Sequence, residues 1–257
     1  MLPLRFRDAV LGADTRAYRT GIAEPALLLE AEGDLTIDYA PFDHVEEKAE
    51  LVLVGLTPGR IQAANAIEAL AAALRAGTTL KQALGIAKRS ASFSGPMRAN
   101  LLAMLDAIGV PALFGRTSAA EFFDDNANVH FTSALRYPVY INGRNYSGIP
   151  NPLRHPLLVA MIERYLAEEA EKIEGALWVP LGSHAEAALL HLSVQGHING
   201  SRILAGLPHP SGANAERIAY FLGRKSRETL SAKTNADALD ATRAHLETQI
   251  AEFRPNR

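Results

Sequence analysis

Leu51–Arg60 reads LVLVGLTPGR. An apolar run that follows the charged Glu50 and ends in Gly-x-x-Pro-Gly has the pattern of a strand buried on both faces, opening at its C-terminal end into a loop. In an open α/β sheet, ligands bind at such strand ends. Gly55 lets backbone approach closely, Pro58 fixes its own φ and pushes Thr57 towards extended geometry, and Gly59 permits a turn that a side chain would block. An ordinary tight turn after a core strand has the same pattern, so the stretch needs a partner. Leu204–Arg217, LAGLPHPSGANAER, is that partner: a short apolar segment ends in His-Pro-Ser-Gly and runs into a helix start. Proline on both sides of His209 holds the imidazole in a fixed direction.

The chain of 257 residues is long enough for a sizeable core. Its organisation is expected to be one domain over 1–225, with 1–48 as a lead-in, followed by a helical tail over 226–257 packed on it. The formal net charge of −2 means that nucleic-acid contact must come from a local patch. With no cysteine, disulfides and thiolate metal ligands are excluded. Neither a metal nor another cofactor is called for. Charge interrupts the first residues too often for a secretory signal, and no apolar run is long enough to span a bilayer. A cytoplasmic monomer without membrane contact is expected.

In chain order, Asp8–Glu32 has helix-compatible spacing and Leu35–Tyr39 alternates like a strand. Ile61–Leu74 reads as a helix with Ile61, Ala64, Ile67 and Leu70 or Ala71 on one face. Its N-terminus, pointing back at the Gly59 loop, suits either an anion such as phosphate or plain solvent. Thr79–Arg89 is a second helix whose Lys88 and Arg89 either complement the helix dipole or touch nucleic acid. Phe93 follows in a Ser/Gly loop. Met97–Ile108 is a helix stopped at Gly109, and Val129–Leu135 is a central strand, preceded by Asp124 and Asp125. Tyr137–Pro150 turns at Asn142-Gly143 and is either a solvated hairpin or a functional loop rimmed by Arg136, Arg144, Tyr140 and Tyr146. Leu157–Ile173 is an amphipathic helix whose EEAEK end reads as a solvated face. Ala176–Leu181 is a buried strand and Ser183 the N-cap of the helix after it; His184 and His191 read as surface residues of that helix. Ile198–Leu207 is the last strand. Arg224, Lys225 and Arg227 form a basic cluster, and Asn235 caps a tail helix with a stripe of Leu239, Leu246, Ile250 and Phe253, interrupted by Thr242.

The two loop motifs resemble the signature pair of the uracil-DNA glycosylase superfamily. Between them, SFSGPMRANLLAMLDAIGV (92–110), FTSALRYP (131–138) and LWVPLGSHAEAALL (177–190) resemble further superfamily segments in the same order, so the likeness spans roughly Leu51–Arg217. The layout is closest to the thermophilic iron-sulfur branch, whose cluster ligands this chain lacks. The resemblance implies an α/β fold of three layers, α/β/α, around a central, mainly parallel four-stranded sheet, and the alternation of apolar and helical segments agrees. It also implies excision of uracil or another deaminated or damaged base from DNA, single-stranded or with the base flipped out. By the same resemblance His209, Thr57 and Ser133 stand at the catalytic positions: His209 stabilises the leaving base, Thr57 occupies the water-activating place of the first motif and Ser133 that of a base-reading Asn, while Gly55, Leu56, Pro58 and Gly59 hold the base through backbone and Phe93 stacks on it. Ser211 and Gly212 hold phosphate, with Arg60, Asn214, Arg217, Lys88, Arg89 and Arg144 as further candidates for the DNA backbone.

The departure lies in the first motif, where the water-activating carboxylate or Asn of other members is replaced by Leu56 and Thr57. Neither is a general base at neutral pH. A branch with Leu-Ala in these places still excises bases, and Asp124 or Asp125 are the nearest carboxylates in sequence. Three readings follow: a glycosylase of altered specificity, a catalytically silent nucleic-acid or nucleobase binder, and a hydrolase of small N-glycosides or nucleotides.

Overall fold

The computed structural model describes residues 2–91, 96–124 and 128–253. Its helices and strands run in the order α1 (Leu2–Arg5), α2 (Arg7–Gly12), α3 (Thr15–Arg19), β1 (Leu28–Glu32), β2 (Leu35–Asp38), β3 (Leu51–Gly55), α4 (Arg60–Arg75), α5 (Leu80–Ala91), α6 (Pro96–Ala107), α7 (Val110–Leu113), α8 (Glu121–Asp124), β4 (Val129–Ser133), β5 (Val139–Ile141), β6 (Arg144–Asn145), α9 (Pro156–Met161), α10 (Ala167–Lys172), β7 (Leu177–Pro180), α11 (Ser183–Val194), α12 (Ala215–Phe221) and α13 (Ala236–Glu252). A π-helical turn, Ile162–Leu166, joins α9 to α10. The strands form a three-stranded sheet, β4-β3-β7, and an antiparallel sheet, β1-β2-β5-β6.

In the three-stranded sheet β3 and β7 are parallel, Leu51 opposite Leu177 and Val54 opposite Pro180. Leu51, Val52, Leu53 and Val54 are fully buried, as an apolar run without alternation requires. Each such side chain contributes about 1.5–3 kcal/mol by leaving water. The mixed α/β class is as expected, but the fourth strand is reduced to one parallel bridge, Trp178 to Ile203. Leu204 N–H still donates to the Trp178 carbonyl at 2.8 Å. Beyond it Gly206 takes φ +104°, outside strand geometry, and Pro208 has no N–H to donate, so the ladder stops.

The chain divides into two compact units, Met1–Val45 with Gly55–Ser92 and Phe131–Lys172, and Glu46–Val54 with Phe93–His130 and Ile173–Arg257. In the first, α4 buries Ala64, Ile67, Leu70 and Ala71 while Ile61 stays exposed, and the antiparallel sheet closes on a hairpin. Asn142 (φ 49°) and Gly143 (φ 70°) make its turn, as the Asn-Gly pair predicts. The expected helical spacing of Asp8–Glu32 resolves into two short helices and then β1.

This unit has a polar interior. Tyr18 donates to Asp38 at 2.9 Å and shares a 2.8 Å bond with Tyr140. The Asp43 carboxylate accepts from Tyr137 at 2.7 Å and from Tyr39 at 3.0 Å, and burial pushes its pKa up. Arg136 donates to Glu169 at 2.7 Å, and Lys88 donates to the His44 carbonyl at 2.7 Å with Glu169 at 3.8 Å. The EEAEK segment is therefore not a uniformly solvated face: Glu169, its second residue, is fully buried, because Arg136 is there to receive it. Burial also pushes the Lys88 ammonium down to about 8, against the pull of Glu169.

In the second unit Gly109 (φ 81°) separates α6 from α7, and Gly182 rather than Ser183 is the N-cap of α11. Asn235 Oδ1 accepts from Ala238 N–H at 3.0 Å, the expected cap of α13. That helix buries Leu246, ties Arg243 to the Phe221 carbonyl at 2.9 Å, and bonds Tyr220 through Asp240 at 2.9 Å. Among the described residues no helix is long and apolar enough to cross a membrane.

Candidate active site

In the first unit, β3 ends at Gly55, whose carbonyl accepts from Ala134 N–H at 2.8 Å, while the Leu56 carbonyl accepts from Leu135 N–H at 2.9 Å. These bonds carry the ladder past Ser133 and hold the loop rigid. A Cβ on Gly55 would lie 3.5 Å from Ser133 Oγ, so Ser133 stands directly beside the first motif. The Thr57 hydroxyl donates to the Tyr137 carbonyl at 3.1 Å and accepts from Val139 N–H at 3.2 Å. It is thus a staple between the loop and the hairpin, with its proton committed.

The start of α4 is closed off as well. Gly59 N–H donates to Gln62 Oε1 at 2.9 Å and Arg60 N–H to Asn145 Oδ1 at 3.1 Å, so at least these donors are not waiting for an anion. The Arg60 side chain turns inward: its guanidinium lies 4.0 Å from the Tyr140 ring centre and 5.0 Å from that of Tyr18, and it donates to the Gly143 carbonyl at 2.8 Å. At 8% exposure it offers little to a phosphate. Lys88, at 3%, offers less, whereas Arg89 and Arg144 are exposed. Arg136, Tyr140 and Tyr146 are buried rather than rimming the hairpin loop, since each finds a polar partner inside.

In the second unit, His209 packs on Gly182. A Cβ there would sit 3.4 Å from the imidazole Cδ2, and the φ of +95° strains any other residue. His209 Nδ1 accepts from Ser211 N–H at 3.2 Å. An acceptor at Nδ1 puts the proton of the neutral ring on Nε2. Burial pushes the imidazole pKa below its ordinary value, so near neutrality the ring is an uncharged Nε2–H donor. The surrounding loop is held at two carbonyls: Asn100 Nδ2 donates to Pro210 O at 2.9 Å and Asn214 Nδ2 to His209 O at 3.2 Å. Ser211 is half-buried, while Gly212 and Arg217 are exposed. The basic cluster is answered by carboxylates: Lys225 pairs with Glu216 at 2.6 Å, and Arg227 with Asp237 and Asp240 at 2.6 Å each.

A family model for the uracil DNA glycosylase superfamily matches residues 42–238. The chain belongs to that superfamily. The uncharacterized protein YoxB of Bacillus subtilis (strain 168) is 38% identical over 203 residues, covering 77% of this chain and 79% of its own. No solved structure matches significantly. Both loop motifs lie within the superfamily match.

Phe93, Asp125 and the Asp124 side chain lie outside the described residues. Among the described residues no group of His, Asp or Glu is placed to hold a metal ion. Asn100, Asn145 and the Gly182–His209 contact are the site features that sequence reading missed. Asn100 sits mid-helix, where Asn is a poor helix former and a polar partner could have been suspected; the other two have no local signal.

Proposed function

We propose that this chain is a DNA glycosylase that hydrolyses the N-glycosidic bond of uracil or another deaminated or damaged base. The observation that carries the reading is the Ser211 N–H to His209 Nδ1 bond, which makes Nε2–H a neutral donor. When C1′–N cleavage begins, the sugar gains positive charge and the base negative charge; a fixed donor aimed at a base oxygen stabilises the latter. The loop Gly55–Gly59 receives the base through backbone, Ser133 reads its edge, and Phe93 stacks on it. Ser211, Gly212, Asn214 and Arg217, with Arg89 and Arg144, serve the DNA backbone. Lys88 and Arg60 leave that group because of their burial. Water is not activated by Thr57, whose hydroxyl already bonds Tyr137 and Val139. The reaction on this reading is dissociative, with departure of the base anion ahead of water attack. We also propose that the chain works as a monomer, with the domain at 1–225 and the tail at 226–257.

The committed Thr57 hydroxyl equally favours a second reading, a base-binding relative without chemistry. The test is incubation of excess protein with labelled single- and double-stranded oligonucleotides carrying uracil, hypoxanthine, xanthine or a thymine mispair, scored for abasic sites beside His209→Ala. Release abolished by the substitution supports the glycosylase. Salt-dependent binding without release supports the second reading, and faster release from free nucleosides than from oligonucleotides would assign a small-molecule hydrolase. Release that survives His209→Ala overturns the mechanism.

A further inference from the structure

The family match ends at residue 238, within the first turn of α13. The rest of that helix lies against the segment that delivers His209. Gln249 Nε2 donates to the Ile203 carbonyl at 3.3 Å. Closer to the site, a Cβ on Gly206 would come within 2.8 Å of Thr242 Cγ2, a distance that real side chains do not reach. Gly206 is therefore glycine for two reasons, its φ of +104° and the methyl group pressed against it. Thr242, which interrupts the apolar stripe of α13, is the residue that fits there.

From Gly206 to His209 the chain has little slack. Leu207 and Pro208 are buried, Pro208 and Pro210 fix φ on both sides of His209, and the imidazole rests against Gly182. On its other side the segment is bonded to β7 through Leu204 N–H and the Trp178 carbonyl. A shift at Gly206 has few dihedrals in which to dissipate before it reaches the ring. We infer that α13, although almost wholly outside the superfamily match, sets the position of the His209 imidazole through Thr242 on Gly206 and Gln249 on Ile203. Thr242 and Gln249 are positioning residues on this account, and their catalytic consequence rests on the function proposed above.

The test uses the full-length chain with Thr242→Leu, Thr242→Val and Gln249→Leu. Valine keeps the methyl group that meets Gly206; leucine replaces it with a longer branch that must push the Gly206 segment. Thr242→Leu is expected to keep its circular dichroism spectrum and to lower kcat for base release roughly 10- to 100-fold with little change in KM. Its His209 ring-proton NMR titration should move towards the ordinary histidine value as the ring leaves Gly182. Thr242→Val should match the parent in all three. A folded Thr242→Leu with parental kcat and parental His209 titration would overturn the inference, as would a Thr242→Val that fails as Thr242→Leu does. Should Thr242→Leu not fold, Gln249→Leu takes its place with the same readouts. If the parent protein releases no base, the titrations alone decide the inference, and only the glycosylase reading falls.

Discussion

Replacing Glu169 by glutamine keeps the shape of the side chain and removes its charge. Glu169 is fully buried, 2.7 Å from the Arg136 guanidinium and 3.8 Å from the Lys88 ammonium. Stranding a buried charge by removing its partner typically costs about 3–5 kcal/mol. Arg136 keeps a second, half-exposed partner in Glu168 at 3.4 Å, which places the expected loss at the lower end, about 3 kcal/mol at pH 7. The loss should depend on pH in a set direction. Lys88 is lowered from its ordinary 10.5 to about 8, so its contribution to stability is smallest below pH 8 and is fully present above 10.5. Once Lys88 is neutral it no longer needs Glu169, and by pH 10 the difference between parent and variant should fall to about half. Urea unfolding followed by circular dichroism reads this as a midpoint about 1–3 M lower at pH 7, given slopes of about 1–3 kcal/mol/M. A midpoint shift below about 0.3 M, or a difference that does not narrow with rising pH, would refute the account of a charge-paired interior.

The His209 titration predicts that base release stays level through neutrality and falls on an acid limb below the ordinary histidine pKa of 6.5, because protonation removes the neutral donor state; a pH–rate profile checks it. The sign for stability is the same: a lowered histidine stabilises the fold above 6.5, and this is lost as pH falls through its folded value. Gly182→Ala should lose about 1–3 kcal/mol from the backbone at φ 95° and ψ 163°, while its Cβ, at ordinary contact distance from the imidazole, leaves the ring in place, so that single-turnover release falls no further than melting explains. Thr57→Val should cost about 1–3 kcal/mol by stranding the Tyr137 carbonyl and the Val139 N–H, while Thr57→Ser keeps both bonds and parental stability in chemical denaturation.

What could be read from sequence was local. The unbroken run Leu51–Val54, the 3.6-residue spacing of α4, the Asn142-Gly143 turn and the Asn235 cap each carry their own conformational reason within a few residues, and each formed as expected. The failures need a distant partner. Glu169 reads as solvated in a run of charges, and it is Arg136, 33 residues away, together with Lys88, that receives it in the interior. Arg60 follows a phosphate-type loop and reads as a cation for DNA, yet two tyrosines from other elements draw it inward. The fourth strand is a different case: its apolar run reads as a pairing strand, but Gly206 leaves strand geometry at φ +104° and Pro208 has no N–H to donate, a stop that lies in its own residues. In the candidate site the residue types were legible from the motifs, whereas the tautomer of His209 and the engagement of Thr57 depend on atoms that no spacing rule places.

The bond from Ser211 to His209 has a consequence for how this site can drift. Its donor is main chain, so nearly any amino acid at 211 leaves the proton seated on Nε2; proline alone, which has no N–H, would unseat it. Side chains around the histidine can therefore be exchanged one at a time without moving the ring proton. On the glycosylase reading proposed above, a lineage built this way would explore new bases while the Nε2–H donor stays constant.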